Sequence, residues 1–330
     1  MRMTVALVAI LQFAALGHAE IAMTVRINNG QNVATYGDPI IAEITLQNDG
    51  TSPTERPLLH WGLVGSSPKI SWSIGQDKVW EFASNVHGNL FLREKPMLGP
   101  GEVYRDTFDI SVAVMKDGAK NRADPYRIKT AAQLRREAQD RDFWGFPAPG
   151  VYTIEASCMY PSGEIVRATS VTISVVDAGE AYKQLVDKYR TKAVAMAALG
   201  SNSGDCLYEE GVEDLLRQLV QDERMSRWHP AGLHYLATAL SVKAERRKNE
   251  GAQRAEMEGL RAEALTYLME LIQNYPDYPA IERALLAAGR MARELSDEQQ
   301  LSRVVAEARK RVDDKTHSPL ADWLRSMPRE

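Results

Sequence analysis

The sequence predicts a multidomain β + α chain, with an antiparallel β-sandwich over residues 20–177 and an all-α helical-repeat domain over residues 178–330. Three observations lead there. Apolar residues alternate before Ala178, the period of a half-buried strand. After it they recur at helical spacing. Gly-, Pro- and Asn-rich breaks punctuate the first part at short intervals and the second only sparsely. At 330 residues the chain is long enough for two separately packed cores, since domains commonly run ~100–150 residues.

The first nineteen residues stand apart from both domains. Met1-Arg2-Met3 is a short positive start, Val5 to Leu16 is apolar except for Gln12, and Gly17-His18-Ala19 places small residues before Glu20. This is the pattern of a secretory signal peptide over residues 1–19, too short to span a membrane. No Cys lies beside the cleavage point, so no lipid anchor is expected there, and the mature protein is expected to be periplasmic or secreted. No later stretch reaches the ~18 uninterrupted apolar residues of a membrane helix. A net charge of −4, with both signs mixed along the chain, lacks the basic footprint of a nucleic-acid binder.

In the first domain Met23, Val25 and Ile27 share one side of a strand at 22–27. The turn Tyr36-Gly37-Asp38-Pro39 precedes a strand at 40–46. Further strands are expected at 58–63, 69–74, 78–82, 89–92 and 102–110, with two long ones at 151–160 and 165–176. Turn signals at Asn48-Asp49-Gly50, Gly99-Pro100-Gly101 and Pro161-Ser162-Gly163 separate them, as a sandwich requires. In the second domain one Ala-rich helix is expected at 181–199, ended by Ser201-Asn202-Ser203-Gly204. Others follow from Asp205 to about Glu223 and from Pro230 to about Lys248. The next are 255–275 and 280–295, then one to about Val312 capped by Ser296 with Gln299 as a capping box, and a short one from Pro319. Six or seven helices with short joints make stacked pairs.

Pro149-Gly150-Val151-Tyr152 places a Tyr at the start of a late strand after a corner, where immunoglobulin-like sandwiches hold a tyrosine whose hydroxyl bonds back to the backbone. Together with Tyr36-Gly37-Asp38-Pro39-Ile40, Lys78-Val79-Trp80-Glu81-Phe82 and Leu98-Gly99-Pro100-Gly101-Glu102, it resembles bacterial immunoglobulin-like sandwiches of the intracellular-proteinase-inhibitor type. In the second domain Ala264, Leu268, Leu271 and Pro276 resemble the second helix of a tetratricopeptide repeat, and Asp277-Tyr278-Pro279-Ala280 looks like the start of the next. The segment is also similar to helical repeats of bacterial envelope assembly proteins. No Trp-Leu-Gly-Tyr first helix accompanies it. These resemblances imply fold; fold alone does not imply activity.

Chemistry-bearing patterns are sparse. Mature His residues stand at 60, 87, 229, 234 and 317, and the five-residue step between His229 and His234 does not align them on one helix face. HExxH, CxxC, a calcium loop, a GxSxG elbow and a phosphate-cradling glycine loop are all missing. No catalytic, cofactor-binding or metal-ligating residue is therefore expected. The two cysteines, Cys158 and Cys206, can pair in an oxidising compartment, or Cys158 is a small core residue on the alternating face of its strand. Trp61, Trp72 and Trp80 are either strand core or a glycan-binding face.

One segment exceeds what a sandwich of ~100 residues needs. Residues 115–148 read as an insertion, with basic residues, a helix at 130–141 and the cluster Phe143-Trp144-Gly145-Phe146-Pro147. The aromatics either pack down as a tether or anchor a partner, and Arg135, Arg136, Phe143, Trp144 and Phe146 are the expected partner-binding residues. The function expected is a non-enzymatic exported protein mediating protein–protein interaction, its partner a protein or peptide. The alternatives are a proteinase inhibitor acting through sandwich loops, and a cell-wall or glycan hydrolase or binding protein.

Overall fold

The computed structural model describes residues 21–55, 69–74, 78–82, 97–117, 144–159, 165–203 and 210–327. The strands expected at 58–63 and 89–92, the leader, and Trp61 lie outside them.

A β region comes first. Its strands are β1 (Ile21–Ile27), β2 (Val33–Thr35), β3 (Ile41–Asn48), β4 (Thr54–Glu55), β5 (Lys69–Ile74), β6 (Lys78–Phe82), β7 (Met97–Leu98), β8 (Val103–Asp109), β9 (Ala113–Asp117), β10 (Gly150–Met159), β11 (Ile165–Arg167) and β12 (Val171–Val176). A helical region follows: α1 (Glu180–Tyr189), α2 (Lys192–Ser203), α3 (Val212–Gln221), α4 (His229–Asn249), α5 (Arg254–Asn274), α6 (Ile281–Glu294), α7 (Glu298–Arg309), then β13 (Thr316–His317) and α8 (Pro319–Arg325).

Two sheets carry the β region. One runs β1-β3-β8-β13; the other runs β2-β12-β10-β5-β6-β9, with β11 also on β10; β4 and β7 form a separate pair. In β3 the alternation Ile44, Leu46 inward against Glu43, Thr45 outward puts the aliphatic set into the interior, because a pleated strand points successive side chains to opposite faces. The antiparallel expectation needs correction. β2 runs parallel to β12 and β13 runs parallel to β8, so both sheets are mixed. Neither parallel strand is reached by a hairpin, and a parallel partner requires a long crossover; β13 returns to β8 only after α1 to α7.

Three local expectations are also revised. The strand expected at 165–176 is two, because the register on β10 slips by one residue between Ser157↔Arg167 and Ile154↔Val171, the mark of a bulge. The helix expected at 181–199 breaks at Arg190, whose ψ of 54° is not helical. Thr191 restarts the chain, its Oγ1 accepting from the Val194 N–H at 3.3 Å. The cap expected at Ser296 is Asp297, whose carboxylate accepts from the Gln300 N–H at 3.0 Å. Ser296 sits at φ 55° just past α6, the left-handed position that closes a helix.

The Tyr152 hydroxyl donates to the Ala148 carbonyl at 2.7 Å, fixing the Pro149-Gly150 corner. At the other end of the chain α8 lays the Trp323 ring on Gly289 of α6; a Cβ there would lie 2.3 Å from the ring. Consecutive helices from α3 to α7 pack on one another, and α8 packs on α6. The sequence expects two separate cores. The buried apolar residues instead form one cluster that runs from Ile21 through the sheets and helices to Trp323.

Candidate functional site

The union of the two regions centres on β8. Its sequence, Val-Tyr-Arg-Asp-Thr-Phe-Asp, places charges on both faces of a largely buried strand, which is costly unless each charge finds a partner. β13 pairs only with Val103 and Tyr104. Beyond that point side chains from α4 and α6 take over.

Arg105 Nη2 bonds Glu282 and donates to the Arg311 carbonyl at 2.7 Å. Arg283 Nη2 donates to Asp106 Oδ1 at 2.9 Å, and its guanidinium lies 5.0 Å from the Phe108 ring centroid. Asp109 accepts from the Ser111 N–H at 2.9 Å, from the Ser111 hydroxyl at 2.5 Å and from the Tyr235 hydroxyl of α4. Burial pushes the Asp109 carboxyl up, against the lowering pull of those hydroxyl donors. Burial likewise raises Glu282, while Arg105 pulls it down. Beneath these pairs His234 is 2% exposed and stands edge-on to Tyr278 at 5.9 Å. Burial, then the neighbouring Arg283 charge, lowers its pKa to about 3. It is a neutral imidazole inside the protein.

A second contact flanks the first. Asp38, in the turn before β3, accepts from the Tyr182 hydroxyl of α1 at 2.7 Å and pairs with Arg227 at 3.4 Å. Arg190 stacks between Tyr36 and Trp144, 5.1 Å and 5.2 Å from their centroids. It donates to the Tyr36 hydroxyl at 2.8 Å and to the Phe146 carbonyl at 3.3 Å. This tertiary grip is what interrupts the helix at Arg190.

The expected partner-binding residues divide accordingly. Trp144 and Phe146 are 3% and 4% exposed. Trp144 meets Trp228 at 5.8 Å, and Phe146 meets Tyr152 edge-on at 5.0 Å. They join the β region to the helices and leave almost no surface of their own exposed. Arg135, Arg136 and Phe143 lie outside the described residues. The insertion expected at 115–148 is also revised at its start: β9 extends to Asp117 and pairs with β6, and Trp144 bridges back to Val112. Trp72 and Trp80 are cross-strand partners in the β5–β6 ladder. Cys158 is buried, which pushes its thiol up to about 12; Cys206 lies outside the described residues. His229 Nδ1 is 2.8 Å from the Tyr275 hydroxyl, and His317 Nε2 is 3.0 Å from Glu102.

Two concavities are notable, the first of them beside this seam. A cleft of about 380 Å³ lies between β3, β8, the Pro276–Pro279 turn and α6. A groove of about 410 Å³ runs along α5, with Leu265, Met269 and Leu295 in its floor and Thr266, Gln273 and Gln300 on its rim. Among the described residues no group of three His, Cys, Asp or Glu side chains is placed to hold a metal ion, and no helix is long and apolar enough to cross a membrane. Asp106 and Glu282, the carboxylates in the cleft floor, are each engaged by a guanidinium.

Sequence reading missed the seam. The available signal was the adjacent pair Arg105-Asp106 with Asp109 in an otherwise apolar strand, since charges on both faces of a buried strand require distant partners. A scan against protein-family models finds no match, and a search of the curated proteins finds none.

Proposed function

We propose that this chain is an exported, non-enzymatic protein that mediates protein–protein interaction in the cell envelope or outside the cell. In this reading an immunoglobulin-like sandwich is the base and a tetratricopeptide-like stack is the presenting surface. The tyrosine corner at Tyr152 supports the first likeness. The buried faces of Ala264, Leu268 and Leu271 support the second.

The observation that carries the proposal is the groove along α5. Its lining sets apolar Leu265, Met269 and Leu295 among polar Thr266, Gln273, Asn274 and Gln300 and the carboxylates Glu270 and Asp297, and an apolar centre within a polar rim is the composition of a recognition surface. The seam holds that groove at a fixed place relative to the sheets, and a preorganised surface loses less entropy on binding. The test is capture from envelope extract by immobilised protein spanning residues 20–330, beside an Ala262→Arg/Gln273→Arg variant. Both positions are exposed on the groove rim, so the variant fills the groove without entering the core. The proposal expects a discrete protein retained by the parent and lost by the variant at equal thermal stability. Equal capture by both, or capture by neither, contradicts it.

A further inference from the structure

The groove along α5 carries a charge pattern that narrows what it can hold. Ala262, Leu265, Thr266, Met269, Glu270 and Gln273 line it from α5. Their three- and four-residue steps make one face of the helix, a straight wall of three turns, ~16 Å long. Leu295, Asp297 and Gln300, at the junction of α6 and α7, complete the lining. Its charged residues are Glu270 and Asp297, and no Lys or Arg joins them. Asp297 accepts from the Gln300 N–H at 3.0 Å, and the N-terminus of α7 offsets about half of its charge. Glu270 is 38% exposed, and its ion-pair neighbour among the described residues is His229, at 3.7 Å. Arg261 is the nearest basic residue along α5. Glu245 of α4 and Glu294 of α6 bond it, so its charge is answered outside the groove.

We propose that the occupant of this groove is a cationic amphipathic helix of a partner protein, with apolar side chains on Leu265, Met269 and Leu295 and Lys or Arg side chains toward Glu270 and Asp297. This rests on reading the groove as a protein-recognition surface and adds the chemistry of what docks there. Charge complementarity selects the sign, because an acidic segment meets two carboxylates with no Lys or Arg in the lining to offset them. The walls select the helix. They are themselves helices, with backbone groups bonded internally, so the groove has no strand edge to pair an extended chain. A docking helix satisfies its own backbone and lays a ridge of side chains along α5. Met269 in the floor is unbranched and adapts to the shape of that ridge.

The test is fluorescence anisotropy of the protein spanning residues 20–330 with three labelled 16-residue peptides. The first is a Leu/Lys amphipathic helix, the second carries Glu in place of every Lys, and the third is the first with a central Pro that breaks the helix. The expected result is saturable binding of the first and at least tenfold weaker binding of the other two. Glu270→Gln/Asp297→Asn removes both charges and keeps the α7 cap, since Asn caps a helix as well as Asp. It is expected to weaken the first peptide about tenfold, the size of two part-exposed ion pairs. Glu155→Gln/Glu180→Gln removes the same net charge at exposed positions in β10 and α1 and is expected to leave binding unchanged. No saturable binding of the first peptide, equal binding of the first and second, or equal binding of the first and third overturns the proposal. So does equal weakening by the two double variants. If envelope capture is lost in Ala262→Arg/Gln273→Arg but kept in Glu270→Gln/Asp297→Asn, the groove recognises a protein and the cationic helix is wrong. Capture that ignores Ala262→Arg/Gln273→Arg removes the recognition surface itself.

Discussion

His234 shows most plainly what a single buried side chain does here. Its imidazole is fully enclosed, with the Tyr278 ring edge on one side and the Arg283 charge nearby. The native pKa is about 3 against an ordinary value of 6.5. Below pH 6.5 the unfolded chain takes up a proton that the folded chain refuses, so stability falls as pH falls through that window. The limiting slope for one such group is about 1.4 kcal/mol per pH unit. Asp109 acts in the opposite sense, because its carboxyl is raised in the folded state and protonates more readily there than in the unfolded chain. Comparing the parent with His234→Phe subtracts the Asp109 contribution. Urea unfolding followed from pH 7 to pH 4.5 is expected to show a shallower loss of stability in the variant. Parallel pH dependences would mean that His234 is protonated in the native state or open to water.

At the scale of elements, the helix ends yield a prediction whose sign runs against habit. Ser296 closes α6 at φ 55°, a conformation that penalises a side chain and suits glycine. Ser296→Gly is therefore expected to stabilise the protein by about 0.5–1 kcal/mol, read as a higher urea midpoint at unchanged slope. A lower midpoint would show that the Ser296 side chain holds the cap. The same junction shows what sequence can and cannot convey. β5 and β6 fall at 69–74 and 78–82, the ranges that alternation and the intervening turn signal indicate, because that information is local. Ser318 caps α8 before Pro319, again within a few residues. Arg190 carried no comparable signal. It ends α1 because Tyr36, Trp144 and Phe146 hold it from the β region, and an Ala-rich pattern reads straight through. β13 is two residues long, too short for any period to register. Of the candidate site, Trp144 and Phe146 were singled out as aromatics, but which way they face is a tertiary fact. The bond between Asp109 and Tyr235 joins positions 126 residues apart, beyond the reach of any spacing argument.

Across the whole molecule, β8 belongs to both regions. Its neighbours in the sheet are β3 and a strand supplied by the helical region, while Arg105, Asp106 and Asp109 reach α6 and α4. A buried ion pair adds little net stability when complete, yet removing one partner costs about 3–5 kcal/mol because the other charge is left buried. The continuous apolar cluster and this seam together make the β and helical regions one cooperative unit, and the proposed recognition groove depends on that unity for its fixed placement. Differential scanning calorimetry of the protein spanning residues 20–330, beside Arg283→Met, measures it most directly. One unfolding transition is expected in both proteins, with the variant shifted to lower temperature as a whole and with calorimetric and van't Hoff enthalpies in agreement. Two resolved transitions in the parent, with Arg283→Met displacing only one of them, would show two independently folding bodies and contradict the shared interior.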